Sequence, residues 1–555
     1  MALLQFKNLS FQYELADSLT LDNLNLIIDE GEFVVLLGPT GSGKSTLLKM
    51  IKREIQPHGR ISGEILYNGH NIHTLNDYQA AGLIGYVMQN PNNQIVTEKV
   101  YSELAFGLEN LGVNENEMRL RVGEMANFFG INEWFKSSTH DLSGGQKQIL
   151  NLASVMVMQP KILLLDEPTS QLDPIAARDF INILHRLNQE LGITIIFVEH
   201  RLEEVLAIAD RLIVMDGGKI IANDHPQIVS QQLKNHPMNL ALPSAVRIYQ
   251  ALNINTEVPI TVREGRKFLS DNFKNGIKSL ESLEINPVED YLIELKDVYQ
   301  RYYRDQVDII QGLNLKIGKG EIFSLVGGNG SGKTTLLKII AGLIKPYRGQ
   351  VWINKRNINS YKGGSLYLNN LAFLPQNPED VFTEQTVKQD LEQVSGIYQK
   401  DDFQVHFNEI VDNLNITNIL NKHPYDLSGG EQQKAALAKI LLLQPKIILF
   451  DEPTKGLDGF IKNQFKLKLE KLQARGITII IVTHDIEFAA RVSTRCGMLF
   501  DGSILTVDHP QNFFSSHNFY TTAANRMSRH MYNKAITEED VIKLALINGR
   551  KNENS

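Results

Sequence analysis

The chain has 555 residues, 43% hydrophobic and 21% charged, a balance that is ordinary for a folded globular protein and excludes a disordered or collagen-like chain. Its net charge of −7 disfavours a dedicated nucleic-acid coat protein, although a local basic patch stays compatible with it. The single cysteine, Cys496, excludes an intrachain disulfide, fits a reducing compartment and is expected to be a buried apolar residue.

The longest apolar runs are far shorter than the roughly 18 residues of a membrane span, and the N-terminus lacks the pattern of a secretory signal. We therefore expect a cytosolic chain. If the protein acts at a membrane, the spans must belong to a partner.

The sequence repeats itself in the same order with an offset of roughly 285 residues. Residues 38–46 (GPTGSGKST) recur as 327–335 (GGNGSGKTT), 142–146 (LSGGQ) as 427–431 (LSGGE), 165–169 (LDEPT) as 450–454 (FDEPT), and His200 as His484. This offset is too long for a solenoid and predicts two copies of one globular domain. Within each copy, short apolar strands alternate with helical patterns, which indicates an α/β fold with a largely parallel sheet.

The expected division is a first domain over 1–225, its C-terminal extension and linker over 226–290, a second domain over 291–510 and a second extension over 511–555. Residues 259–264 (PITVRE) and 535–540 (AITEED) resemble each other and predict a helical extension after each copy. Loop-forming residues at 270–276 and at Pro287 place the linker near 270–290.

A glycine-rich loop follows an apolar strand in each copy and leads into a helix. Its backbone N–H groups and the helix N-terminus suit phosphate oxygens, a lysine reaches the β- and γ-phosphates of a nucleotide, and the following hydroxyl ligates Mg²⁺. The residues predicted for this role are Gly38, Gly41, Gly43, Lys44, Ser45 and Thr46 in the first copy, and Gly327, Gly330, Gly332, Lys333, Thr334 and Thr335 in the second.

Two carboxylates end a second apolar strand in each copy, as Asp166 with Glu167 and Asp451 with Glu452. Ligands of α/β proteins bind at this edge of the sheet. The first carboxylate suits the Mg²⁺ shell, and the second suits a water that attacks the γ-phosphate.

A serine and two glycines begin a helical stretch in each copy. Ser143 with Gly145, and Ser428 with Gly430, can form a second anion-binding helix start. The alternative is an ordinary helix cap, which explains the serine but not the recurrence of Ser-Gly-Gly.

Together, in this order, the motifs resemble the nucleotide-binding domain of ABC ATPases over residues 1–225 and 291–510. The resemblance implies a P-loop NTPase fold in each copy, with a RecA-like core, an antiparallel β subdomain and a helical signature subdomain. It also implies that the two domains pair head to tail as an intramolecular pseudo-dimer and enclose two ATP molecules. One composite site would join Lys44, Ser45, Gln89, Asp166, Glu167 and His200 to Ser428, and the other would join Lys333, Thr334, Gln376, Asp451, Glu452 and His484 to Ser143.

In this family the glutamates are catalytic, the glutamines at 89 and 376 sense Mg²⁺ and the membrane partner, and the histidines contact the γ-phosphate. Tyr13 and Tyr302 resemble the adenine-stacking residue, with Tyr303 as a substitute for Tyr302. Because both copies keep these groups, we expect two hydrolytic sites. Ile149 and Gln171 depart from the family pattern, where arginine and alanine are usual.

The segment after Gln89 identifies a subgroup. Residues 89–94 (QNPNNQ) and 103–112 (ELAFGLENLG) are similar to the ATPases of energy-coupling factor importers, which take up vitamins and metal ions, whereas 390–394 (DLEQV) diverge. The resemblance implies a transmembrane coupling subunit, a substrate-binding membrane subunit, and a position on the cytoplasmic face of the membrane. Leu104, Phe106 and Leu108 are the expected groove residues for the partner's helices.

Two alternatives remain open at this point. A soluble twin-cassette ATPase acting on ribosomes or nucleic acid also fuses two cassettes without membrane spans. A nucleotide-dependent scaffold would lack hydrolysis and is disfavoured by the two intact glutamates. The transported substrate does not follow from the sequence.

Overall fold

The computed structural model describes residues 2–14, 16–276, 280, 290–362, 364–397 and 400–551. It divides into two compact units: unit 1 comprises Met1–Gln250 and Ile254–Thr261, and unit 2 comprises Ala251–Asn253 and Val262–Ser555. Among these described residues, no helix is both long and apolar enough to cross a bilayer.

The described residues of unit 1 form ten strands and the helices that connect them. The strands are β1 (Ala2–Tyr13), β2 (Leu21–Asp29), β3 (Phe33–Leu37), β4 (Gly59–Tyr67), β5 (His70–Asn71), β6 (Ile84–Val87), β7 (Ile162–Asp166), β8 (Thr194–Val198), β9 (Arg211–Asp216) and β10 (Lys219–Asp224). The helices are α1 (Lys44–Ile51), α2 (Asp77–Leu83), α3 (Val100–Asn110), α4 (Glu115–Phe128), α5 (Gly144–Met156), α6 (Pro174–Leu191), α7 (Leu202–Val205), α8 (Pro226–Gln232) and α9 (Ser244–Leu252), the last two residues of α9 belonging to unit 2.

Two sheets organise unit 1. A six-stranded sheet has the order β10-β9-β3-β8-β7-β6, parallel except for the edge strand β10, and an antiparallel sheet has the order β2-β1-β4-β5. Every residue of β3, β7 and β8 is buried, as expected for central strands covered on both faces. The predicted α/β class is therefore confirmed, and the motif residues that follow β3 and β7 meet at one edge of the parallel sheet.

Unit 2 repeats this arrangement. Its strands are β11 (Tyr291–Gln300), β12 (Ile310–Gly318), β13 (Ile322–Val326), β14 (Arg348–Ile353), β15 (Arg356–Asn357), β16 (Leu371–Leu374), β17 (Ile447–Asp451), β18 (Thr478–Val482), β19 (Arg495–Phe500) and β20 (Ser503–Asp508). Its helices are α10 (Val262–Asn272), α11 (Lys333–Ile340), α12 (Val387–Glu392), α13 (Lys400–Leu414), α14 (Gly429–Leu441), α15 (Gly459–Ala474), α16 (Ile486–Val492), α17 (Pro510–Ser516), α18 (Ala523–Ser528) and α19 (Glu538–Asn548). The six-stranded order is β16-β17-β18-β13-β19-β20, and the antiparallel order is β12-β11-β14-β15.

The two similar strings that follow the copies both start helices. Helix α10 begins two residues after Ile260, and α19 begins two residues after Ile536, so both strings lead into a helix, while the assignment of an extension to each copy stays a prediction. Helix α10 packs on α18 inside unit 2, where Ser270 Oγ lies 2.7 Å from Nε2 of His530. The expectation of a loop from residue 270 is wrong for residues 270–272, which are helical, and Pro287 lies outside the described residues.

Helix α3 packs on α5 through one face, and this orientation corrects part of the predicted docking groove. Leu104 and Leu108 are fully buried, so they belong to the core and cannot line a surface groove. Phe106 keeps 43% of its surface exposed. Positions four apart share a helix face, whereas a position two away points to the other side, and this periodicity separates the three residues.

Candidate functional site

The glycine-rich loop of unit 1 wraps around the amine of Lys44. This amine donates hydrogen bonds to the carbonyl oxygens of Gly38 (2.8 Å) and Pro39 (2.9 Å). Gly43 precedes α1 with φ of +97°, a conformation that favours glycine. At Gly38 a Cβ atom would lie 2.3 Å from the carbonyl oxygen of Met215, so only glycine fits there. The loop therefore has the shape and charge to hold phosphate oxygens at a helix N-terminus.

Unit 2 contains the same glycine-rich loop. The amine of Lys333 donates to the carbonyl oxygens of Gly327 (3.0 Å) and Gly328 (2.8 Å), and Gly332 precedes α11 with φ of +99°. Both lysines are buried and stretch across their loops.

The hydroxyl after each lysine lies beside the first strand-end carboxylate. Ser45 Oγ donates to Oδ1 of Asp166 at 2.8 Å, and Thr334 Oγ1 donates to Oδ1 of Asp451 at 3.1 Å. Burial raises the pKa of Asp166, while the hydrogen bond from Ser45 opposes the rise. Burial likewise raises the pKa of Asp451 to about 6. A hydroxyl and a carboxylate in contact are oxygen ligands suited to Mg²⁺, which in nucleotide sites takes one or two carboxylates together with phosphates.

Glu167 stands directly after the strand, with φ of +46°, which is uncommon for a residue other than glycine. Nε2 of Gln89 donates to its Oε2 at 2.8 Å, and Nε2 of His200 lies 2.8 Å from its Oε1. The structure thus brings together the three residues of this copy for which the sequence predicted a catalytic role.

Glu452 has the same backbone conformation, with φ of +50°. Nδ1 of His484 lies 2.8 Å from Oε2 of Glu452, and the backbone N–H of His484 donates to the same oxygen at 3.2 Å. Burial opposes ionisation of Glu452, but the histidine side chain and the Lys333 charge outweigh it and lower its pKa. Gln376 is exposed, and the described residues include no hydrogen bond from it to Glu452, which distinguishes this site from the first.

A buried acid supports His200 in unit 1. Glu199 accepts a hydrogen bond from the hydroxyl of Thr169, and its other oxygen accepts from the backbone N–H groups of His200 (2.8 Å) and Arg201 (3.1 Å). In unit 2 the corresponding residue is Thr483, which is also buried. The sequence did not predict this role of Glu199, because its partner Thr169 lies 30 residues away.

The candidate adenine-stacking tyrosines occupy equivalent places. The hydroxyl of Tyr13 lies 3.1 Å from Oγ1 of Thr46, and that of Tyr302 lies 3.1 Å from Oγ1 of Thr335. Tyr302, and not the more exposed Tyr303, therefore takes the position that corresponds to Tyr13.

Ser143 and Ser428 directly precede α5 and α14 and are exposed. Each forms a capping box with the third residue of its helix, which is Gln146 after Ser143 and Glu431 after Ser428. These contacts are those of an ordinary helix cap, the alternative to an anion-binding role. The participation of each serine in the nucleotide site of the other copy stays a prediction, as does the role of Gly145 and Gly430.

The segment after Gln89 is hydrogen-bonded to helix α5, which follows Ser143. Asn151 Nδ2 donates to the carbonyl oxygen of Pro91 at 3.1 Å, and Lys147 Nζ donates to Oδ1 of Asn92 at 2.9 Å. A displacement of this segment would therefore be transmitted to the helix that carries Ser143.

Comparison with known proteins agrees with this geometry. The family described as ABC transporter matches residues 21–170 and 310–455. A Bacillus anthracis protein named as an ABC transporter ATP-binding protein is 40% identical over 539 residues, 97% of each chain, and one from Methanosarcina acetivorans is 34% identical over 91% of this chain and 84% of its own. The chain belongs to the ABC transporter ATP-binding family.

A solved archaeal ribosome recycling factor, in complex with a ribosomal stalk protein, covers 92% of this chain and 91% of its own with a TM-score of 0.58 and 21% identity. At that identity the likeness shows the fold of two tandem cassettes alone. A single cassette from Clostridium perfringens, part of the transporter complex CbiONQ, is 27% identical over 41% of this chain and 92% of its own, with a TM-score of 0.38. Both ABC domains of the chain are those of an ATPase that binds ATP.

Proposed function

We propose that this ABC protein is the ATP-hydrolysing subunit of an energy-coupling factor importer, attached to the cytoplasmic face of the membrane through a transmembrane coupling subunit. That subunit would in turn hold a substrate-binding membrane subunit, which recognises a vitamin or a metal ion. The observation that carries this proposal is an exposed apolar surface on unit 1 next to Gln89.

This surface is that of the segment 96–106, in which the apolar side chains of Val96, Tyr101 and Phe106 have exposed fractions of 63%, 46% and 43%. The ring of Tyr101 also contacts Phe135, with centroids 6.1 Å apart. Aromatic side chains are enriched in protein–protein contacts, so their exposure in this segment favours a docked partner. The surface begins seven residues after Gln89, whose side chain reaches Glu167, so a helix docked there would be linked to the catalytic glutamate.

Unit 2 carries polar residues at the corresponding positions, namely Thr383, Lys388 and Gln393. These residues are exposed. The apolar surface is thus a property of the first copy alone, which supports a partner that presents different contacts to the two cassettes.

In the proposed reaction, the loop of Lys44 holds the phosphates. Ser45 and Asp166, with the help of Gln89, would hold Mg²⁺, which would supply charge stabilisation at the γ-phosphate. Glu167 accepts the proton of the attacking water, and His200 keeps this carboxylate oriented. The second site uses Lys333, Thr334, Gln376, Asp451, Glu452 and His484 in the same roles. Head-to-tail pairing of the copies, with Ser428 and Ser143 completing the sites, would couple nucleotide binding to the partner's helices.

The test is a detergent pull-down of the tagged chain from its native membranes, followed by mass spectrometry of the recovered proteins. Tyr101→Asp and Phe106→Asp are the test variants, and Lys388→Asp and Gln393→Asp at the corresponding positions of unit 2 are their matched controls. Leu104 is unsuitable, because a charge at that buried position would disrupt the core.

Recovery of a multi-span protein that is lost only with the unit 1 variants is the expected result. Recovery of ribosomal proteins or RNA without any membrane protein would overturn the importer proposal in favour of a soluble twin-cassette ATPase. An equal loss with both pairs of variants would show that the apolar surface is not the docking site.

A further inference from the structure

The two nucleotide sites differ at the residue that faces the second oxygen of the strand-end aspartate. In unit 1 the hydroxyl of Tyr86 donates to Oδ2 of Asp166 at 3.1 Å, while Ser45 occupies Oδ1. In unit 2 the corresponding residue is Phe373, which has no hydroxyl. The backbone positions match, because Tyr86 pairs with Leu164 on β7 and Phe373 pairs with Leu449 on β17.

The backbone of Tyr86 is itself held in place. The side chain of Gln94 donates through Nε2 to the carbonyl oxygen of Tyr86 at 3.2 Å, and its Oε1 accepts from the N–H of Met88 at 2.9 Å. This amide therefore spans the turn that leads from β6 to Gln89.

The second copy has neither the N–H donor nor the side-chain amide of this arrangement. Pro375 stands where Met88 stands in the first copy and has no N–H to donate, and Val381 stands where Gln94 stands and has no amide. Tyrosine, the donating N–H and the bracing glutamine occur together in unit 1, and all three are absent from the corresponding positions of unit 2.

We infer that Tyr86 is a positioning residue that orients Asp166 toward the Mg²⁺ of the first site, so that the first site binds Mg²⁺-nucleotide at lower Mg²⁺ concentration than the second. A carboxylate near a metal is oriented by the hydrogen bonds made to its other oxygen. With Oδ2 held by Tyr86, Oδ1 stays directed at the Ser45 hydroxyl, where the metal is expected. Asp451 has only Thr334 as a side-chain partner among the described hydrogen bonds. The inference rests on membership in the ABC family and does not depend on the importer proposal.

The experiment measures binding of a fluorescent ATP analogue to the full chain as Mg²⁺ is titrated. The first site is isolated by Lys333→Ala, and Tyr86→Phe is compared with its parent in that background. The second site is isolated by Lys44→Ala, and Phe373→Tyr is compared with its parent. The same affinities are measured in EDTA. Phenylalanine is the residue that the other copy carries at this position, so Tyr86→Phe is compatible with the fold.

Tyr86→Phe should raise the Mg²⁺ concentration for half-maximal binding about tenfold, the lower end of the loss seen when a partner of a metal-binding group is removed, with the EDTA affinity unchanged. Phe373→Tyr should lower the corresponding concentration for the second site. An unchanged Mg²⁺ midpoint in Tyr86→Phe would overturn the inference. So would an equal loss of affinity in EDTA, because that result would indicate a structural role without a connection to the metal.

Discussion

Nε2 of His200 lies 2.8 Å from Oε1 of Glu167, and the second cassette repeats the contact between Nδ1 of His484 and Oε2 of Glu452 at the same distance. Each histidine follows the strand next to the one that its glutamate follows, so each sheet places the pair at one edge. The pair is therefore complete in both cassettes. This holds even though Gln89 donates a hydrogen bond to Glu167, whereas the described residues include no such bond from Gln376 to Glu452.

We predict that both sites hydrolyse ATP. Glu167→Gln and Glu452→Gln should each remove about half of the Mg²⁺-dependent phosphate release or more, because each removes one general base, and the double variant should fall about a hundredfold or further. Steady-state phosphate release with purified protein measures this. If Glu167→Gln retained most of the activity while Glu452→Gln abolished it, the first site would not be hydrolytic.

The support of His200 by Glu199 gives a second prediction. Glu199→Thr introduces the residue that the second copy carries, and it removes the carboxylate that accepts from Thr169 and from the backbone N–H of His200. The backbone N–H of Arg201 can keep an acceptor, as Asp485 does in unit 2, where it donates to Oγ1 of Thr483 at 2.9 Å. We expect a loss of about 1–3 kcal/mol in the free energy of unfolding, since buried donors lose their partner. We also expect a lower kcat in a chain whose second site is inactivated by Glu452→Gln.

Urea unfolding and single-site ATPase assays measure the two effects. Thr483→Val at the corresponding position of unit 2 is the control for the loss of a buried polar contact. Unchanged unfolding and unchanged kcat in Glu199→Thr would show that the Glu199 carboxylate does not hold His200.

Lys468 predicts a pH dependence of stability. Burial, with the charges of Lys434 and Lys471, lowers the pKa of Lys468 to about 8 from its ordinary value of 10.5. The unfolded chain therefore binds more protons between these values, and the contribution of Lys468 to the free energy of unfolding rises with pH from about 8 to 10.5. Below that window both states are protonated and the destabilising contribution is constant.

Lys468→Ile introduces the residue at the corresponding position of unit 1, Ile183. This variant should be more stable than the parent at pH 7 and should lose the rise above pH 8 that Lys468 causes. Urea unfolding at several pH values measures both. The reverse substitution, Ile183→Lys, should destabilise unit 1. If the free energy of unfolding had the same pH profile in the parent and in Lys468→Ile, the lowered pKa would not belong to Lys468.

Cys496 gives a fourth prediction. The thiol is fully buried in β19, and burial raises its pKa to about 12. Because the thiolate is the reactive form, the native protein should not react with a thiol-specific dye at pH 8, and the unfolded protein should react with one equivalent. Rapid labelling of the folded chain would show that this strand opens.

The sequence alone determined the repeat, the fold class and the positions of the phosphate loops and strand-end carboxylates. These features depend on short-range physics. Glycines with positive φ shape the loop around Lys44, and apolar runs of about five residues become central strands, because both preferences act between neighbouring residues. The helices α10 and α19 could be predicted from their similar starting sequences for the same reason.

The tertiary structure decided which side chains face each other. The contact of Tyr86 with Asp166 spans 80 residues, and nothing in the local sequence of either residue marks it. The burial of Leu104 beside the exposed Phe106 depends on which face of α3 packs against α5, and the place of α10 in unit 2 depends on its contacts with α18. The physical reason is that side-chain environment is set by the elements that pack around a residue, and a single sequence specifies local conformation more directly than it specifies those neighbours.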